Sequence, residues 1–469
     1  MNVQAGVPGF LATLAIAFAL GCGGGATRDA GDTDTPVSAD VLADTIGGDA
    51  EPDLARDFGP VDPGPDAPTD LPADAPSEDT LPADLPADLV SGDEGPGDPG
   101  VNPCPRLPAA ADRDRFVVTS FPYQDAQGKA SDWALIRLSA KGVLSDLGPR
   151  FQMGPAFDGD VAFTPDGQVG IAVQDDGTLG VFRIDPVAGS AVVVHAGFAG
   201  GFSASRVLMG PAGDHALVLD TEWRDASGGT DRGGGVYRVD IGCDGTLTDR
   251  GMVMPAKLPA ALLRIPTRPD RVVLAARDAL DVLTGGDLHL LTWGAQPSVL
   301  RSVVTLTEDS NVDGFAITPD GRYVLQGDTG MFATHGVAVA EVVVDTLVSR
   351  QFLQGIGNPA AIVVAPVGGT VLVAGAYEPD DLWILDRTDA TPETPFTIRG
   401  PVDYVGGGSQ LPTAMVMLDR GPLAGRVLVT EVEGIRQVDL KPDGTVQDLG
   451  IYRLGGGTTG MPAALGVQP

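Results

Sequence analysis

Along most of the chain, apolar residues come in short runs that stop at a Pro, Asp or Gly turn and then resume. VAFTPDG at Val161–Gly167 is followed by GIAV at Gly170, and FAITPDG at Phe315–Gly321 by RYVLQ at Arg322. Weaker copies of the turn end at Pro211, Pro269, Pro366 and Gly421, each followed by an apolar run such as RVVLAA at Arg271 or RVLVT at Arg426. A third run alternates apolar and polar positions: LGVFRID at Leu179, GGVYRVD at Gly234, DLWILD at Asp381, GIRQVDL at Gly434. A fourth, more polar run closes each unit, as VQDLGIY does at Val446. Period-two alternation bounded by Gly, Pro and Asp predicts short antiparallel strands. No stretch carries the 3.6-residue apolar period of a long amphipathic helix.

The four-run unit recurs at roughly 45–55 residues, the spacing of propeller blades. Seven units are counted, and the first is incomplete. It has FVVTSF at Phe116, WALIRLS at Trp133 and VLSDLG at Val143, but no inner strand. The chain ends on MPAALGVQP at Met461–Pro469, which echoes NPAAIVVAP at Asn358–Pro366 and LPAALLRIP at Leu258–Pro266. Those two phrases open units; the last has no unit left to open. The pattern predicts an all-β, seven-bladed β-propeller over residues 104–469, closed by its own C-terminal strand. Closure removes two sheet edges that would otherwise invite aggregation.

Composition divides the chain into three parts. FLATLAIAFAL at Phe10–Leu20 is too short to span a bilayer and suits the core of a signal peptide over residues 1–21. Residues 22–103 are rich in Asp, Pro, Ala and Gly, with LPAD repeated at Leu71, Leu81 and Leu85. From Gly23 to Pro103 there are 20 Asp and Glu against two basic residues, −18 of the formal net charge of −33. Such a segment lacks the apolar surface to offset its ordering entropy, and a disordered, self-repelling tether is expected. The acidic balance excludes the basic footprint that nucleic-acid binding requires.

Ala19-Leu20-Gly21-Cys22 followed by three glycines resembles a bacterial lipoprotein signal. That resemblance implies lipidation of Cys22, a membrane anchor at the new N-terminus, and a place in the cell envelope at the outer membrane. The recurring TPDG turn before a Val-rich strand resembles the YVTN and lactonase-like group of seven-bladed propellers, within the wider WD40-like superfamily. The Trp-Asp dipeptide of WD40 repeats is absent. The resemblance implies the fold more than the function, because propellers host many functions.

In a propeller, the loops before the inner strand and between the second and third strands share one face, here the top. Those loops are acidic: Asp175, Asp176, Asp328, Glu378, Asp381 and Glu431 fall in them. A ring of carboxylates would focus a negative potential at the channel mouth and attract a small cationic ligand, a glycan or a protein. Trp223, on the long Thr221–Gly235 insertion, and His335 are candidate contact residues there. Asp309-Ser310-Asn311-Val312-Asp313-Gly314 matches the opening of a calcium loop, so Asp309, Asn311 and Asp313 are candidate ligands. Asp320 stands where the bidentate Glu would be, and a plain Asx turn accounts for the same residues. With Cys22 lipidated, Cys104 and Cys243 remain as a candidate disulfide in an oxidising compartment. No HExxH, GxSxG, CxxC pair or phosphate-cradling glycine loop occurs. Three readings stay open: a monomeric binding or scaffold module with an acidic top face, a metal-dependent lactonase-like hydrolase, and a structural envelope component.

Overall fold

The computed structural model of the chain describes residues 109–110, 112–122, 132–147, 150–156, 159–220, 234–256, 259–277, 286–293, 299–303, 312–328, 335–367, 369–375, 382–402, 411–454 and 461–469. These residues build seven antiparallel sheets. Taken from the channel outward, blade 2 is Val161–Phe163, Val169–Val173, Leu179–Asp185 and Ser190–Phe198. Blade 3 is Ala204–Met209, His215–Asp220, Gly235–Ile241 and Leu247–Pro255. Blades 4, 5, 6 and 7 open on inner strands Pro259–Ile265, Val312–Ile317, Pro359–Val364 and Met415–Met417.

Blade 1 is the composite one. Its inner strand is Leu465–Val467, followed outward by Arg115–Ser120, Asp132–Leu138 and Leu144–Asp146, with Phe151–Gln152 also paired to Asp132–Leu138. The closing register sets Val117 against Val467, Val118 against Gly466 and Thr119 against Leu465. The seven inner strands touch one another in chain order, and Leu465–Val467 touches the inner strands of both blade 2 and blade 7. The fold is a seven-bladed β-propeller, closed by its C-terminal strand. The one helical turn among the described residues is the 3-10 segment Gly421–Leu423.

The core explains the sequence pattern. It consists of seven apolar clusters, one between each pair of neighbouring blades. A strand in the middle of a blade therefore buries both its faces. Val117 and Ile136 pack towards blade 7, whereas Val118 and Leu135 pack towards blade 2. Strands covered on both sides read as continuous apolar runs, and the half-exposed outer strands read as polar. Thus Val169–Val173 is buried throughout, while Ser190–Phe198 is not.

The TPDG turns have a job for each residue. At Thr164–Gly167 the Thr164 hydroxyl donates to Asp166 Oδ1 at 2.6 Å, and the same oxygen accepts the Gln168 N–H at 3.0 Å. Gly167 holds φ at +69°, a conformation L side chains rarely adopt. Thr318–Gly321 repeats the arrangement, with Gly321 at φ +70°. These turns define the lower rim of the channel.

Candidate functional site

Aligning the second strands of the blades puts Ser120, Gln174, Asp220, Ala276, Asp328, Gly375 and Glu431 at equivalent upper ends. Five of the seven are polar, and all five are buried. The Ser120 hydroxyl accepts the Ala464 N–H at 2.9 Å and so fastens the closing strand. Gln174 donates to the carbonyls of Met153 and Ala196, both at 2.8 Å. Arg436 Nε meets Glu431 Oε1 at 2.6 Å and its Nη1 meets Asp448 Oδ2 at 2.6 Å, all three side chains being out of solvent. Asp220 and Asp328 are likewise engaged.

This placement changes the picture of an acidic ring. Asp328 and Glu431 lie beneath the top face, not on it, because their carboxylates turn into the protein and find partners there. Asp175 and Asp176 are exposed at the top of blade 2. Asp176 caps its own turn, accepting the Thr178 N–H at 3.1 Å and the Thr178 hydroxyl at 2.7 Å. Partial burial and then repulsion from Asp176 raise the pKa of Asp175. His335 is half-buried just before the third strand of blade 5, Gly336–Val343, and its Nδ1 is buried without a hydrogen-bond partner. Cys22, Cys104, Trp223, Asp309, Asn311, Glu378 and Asp381 lie outside the described residues, as does the side chain of Asp313. Cys243, in the turn after Gly235–Ile241, is disulfide-bonded. Among the described residues no three His, Cys, Asp or Glu side chains gather as a metal site.

A carboxylate that sequence reasoning passed over is better placed. Asp160 immediately precedes the inner strand of blade 2, and its carbonyl accepts the Val173 N–H at 3.0 Å. Its side chain reaches across to blade 3, where Oδ2 accepts the Val207 N–H at 3.1 Å. An inner strand is a sheet edge, so half of its N–H and C=O groups face the channel and need partners. The inner strand of blade 3 also carries an irregularity in its register, with Arg206 opposite Leu219 but Ala204 opposite Asp220. Such bulges re-aim side chains. The Ser205 hydroxyl donates to the Leu219 carbonyl at 3.1 Å, and Arg206 lies close enough for its charge to act on Asp160. Burial raises the Asp160 pKa, partly opposed by Arg206 and the Val207 N–H, yet the residue keeps some contact with solvent. The signal in the sequence is an acid set directly against an apolar strand, DVAF, where turn residues would be expected.

A carboxyl group with raised proton affinity beside a guanidinium at a strand edge can bind a polar ligand and exchange a proton with it. A concavity of about 470 Å³ lies between blades 6 and 7, lined by Ile384, Arg399, Pro401, Asp443, Thr445 and Val446. Its Arg399 is already engaged, with Nε on Asp386 at 2.7 Å and Nη1 on the Gly444 carbonyl at 2.8 Å.

No protein-family model matches this chain, and no curated protein matches it. Solved structures do. The chain shares its fold with lactonase-like propellers. A Bacteroides fragilis protein described as a candidate 6-phosphogluconolactonase superposes with a TM-score of 0.56 at 14% identity, over 77% of this chain and 99% of its own. The periplasmic gluconolactonase of Pseudomonas aeruginosa gives 0.54 at 14% identity, over 76% and 99%. A Lactobacillus plantarum protein gives 0.57 at 14%, over 76% and 99%. At such identities the likeness is one of fold.

Proposed function

We propose that this chain is an exported binding propeller that takes a polar, hydroxylated small ligand at the upper mouth of its channel. The observation that carries the reading is Asp160, held at the channel wall by Val207 and within reach of the charge of Arg206. Asp175 and Asp176, exposed on the same blade, extend the acidic face around it. A polyhydroxylated ring offers donors to these carboxylates and acceptors to Arg206.

The raised pKa of Asp160 favours one further reading, hydrolysis of a sugar lactone with Asp160 as general acid or base. The fold likeness to a periplasmic gluconolactonase supports testing that substrate class first. D-glucono-1,5-lactone and gluconate serve as probes, with binding heat and proton release as the two readouts. The expected result is saturable binding that weakens at least tenfold in Asp160→Asn. Proton release above the buffer rate, lost in the same variant, selects the hydrolase. No heat and no proton release would end both readings for sugar acids.

Anchoring through Cys22 and pairing of Cys104 with Cys243 complete the proposal. A Cys22→Ser variant should move from the membrane to the soluble fraction, and its retention on the membrane would refute the anchor.

A further inference from the structure

The lower rim beneath blade 1 gathers positive charge in a chain whose formal net charge is −33. Arg113 and Arg115 stand at the entry to the second strand of blade 1, and Arg420 stands in the inner turn of blade 7. Arg115 Nη2 donates to the Arg420 carbonyl at 3.0 Å, a contact between residues 305 positions apart. Arg113 extends to the other side, where its Nη2 lies against Gly167 in the TPDG turn of blade 2. The Nε and Nη2 of Arg113 are both buried and have no hydrogen-bond acceptor. Burial and then the charge of Arg420 lower the Arg115 pKa; Arg113 acts in the same direction, and Asp419 opposes them. Asp419 is exposed.

Most buried N–H groups in folded proteins find an acceptor, and like charges in mutual reach repel. Several other arginines are paired with acids, Arg137 with Asp114, Arg426 with Asp439, Arg387 with Asp320 and Asp389, whereas Arg150 and Arg264 each leave one buried donor without an acceptor. Two buried guanidinium donors without an acceptor, on a residue that repels Arg115 as Arg420 does, have the chemistry that an oxyanion would satisfy. We propose that Arg113, Arg115 and Arg420 bind an oxyanion, the phosphate or carboxylate group of a ligand, at the lower rim. Guanidinium groups match such oxygens with paired, charge-assisted hydrogen bonds. The site lies on the face opposite Asp160 and does not depend on it.

The oxyanion has two possible sources, a free ligand or the short acidic stretch Asp93–Asp98 that precedes Arg113 in the chain. The probe is inorganic phosphate, titrated calorimetrically into the full chain at constant ionic strength, with chloride as control. Saturable phosphate binding is expected, weakened at least tenfold in Arg113→Gln and in Arg420→Gln. It should be unchanged in Arg137→Gln, an exposed arginine of the same blade. The second arm neutralises the nearest acids of the stretch, Asp93→Asn, Glu94→Gln and Asp98→Asn together. Phosphate binding that emerges or tightens only there identifies the chain's own carboxylates as occupant, and the site stands. No saturable binding in either arm, an equal response to chloride, or an equal loss in Arg137→Gln overturns the site.

Discussion

The buried triad of Glu431, Arg436 and Asp448 sets up a decisive stability test. The side chains of Glu431, Arg436 and Asp448 are 2%, 3% and 0% exposed, and both ion pairs close at 2.6 Å. Replacing a whole buried ion cluster by neutral groups is often tolerated, but removing one partner strands a charge away from water at about 3–5 kcal/mol. Arg436→Met should therefore cost the folded state about 3–5 kcal/mol, because two carboxylates lose their cation. Adding Glu431→Gln and Asp448→Asn to Arg436→Met removes the stranded charges and should recover part of that loss, although three changes are then present instead of one. Arg453, paired with Glu433 in largely exposed positions, is the control. Arg453→Met should stay within about 0.5 kcal/mol of the parent chain. Urea unfolding followed by tryptophan fluorescence reads all three; Trp133, fully buried, reports on blade 1. If Arg436→Met behaves like Arg453→Met, or the triple variant is worse than the single one, the buried-triad reasoning is wrong. The same series separates structure from binding, since Glu431 would then be open to the ligand role that its position suggested.

Two more outcomes follow from the geometry. Gln468 clasps the ring, accepting the Phe116 N–H at 3.2 Å through Oε1 and donating to the Gly167 carbonyl through Nε2. Gln468→Ala leaves buried groups unsatisfied and should cost about 1–3 kcal/mol, with faster amide exchange confined first to Phe116–Thr119. Unchanged exchange there would show that the closing strand needs no such clasp. Asp160 has a folded pKa above its unfolded one, so its contribution to stability is fully present below about pH 4 and is lost as pH rises through the folded value. Asp160→Asn should thus gain stability on the parent chain between acid and neutral pH, and a difference independent of pH would contradict the burial of that carboxyl.

Much of the fold was legible because its determinants are local or periodic. The TPDG turns act through Thr, Pro, Asp and Gly within four residues, and the apolar runs report strands covered on both faces. The closing strand was legible because MPAALGVQP repeats a phrase used elsewhere to open a blade, and Leu465–Val467 does pair with Val117–Thr119. The top-face acids were legible as positions but not as orientations. Glu431 and Asp328 were expected in the loops after second strands but are the last residues of those strands, and their burial depends on what surrounds each strand end.

What the sequence determined by itself was the number of blades, the turns between their strands and the way the ring closes. The turns follow from local turn chemistry, and the blade count and closure follow from patterns that recur along the chain. Only the tertiary structure decided which polar residues meet. Asp160 reaches Val207 across 47 positions, and Arg115 reaches Arg420 across 305. A ring brings blade 1 against blade 7 at no cost in sequence proximity. Whether a carboxylate or guanidinium there ends up paired, stranded or open to the channel depends on a neighbouring blade, and no local pattern encodes it.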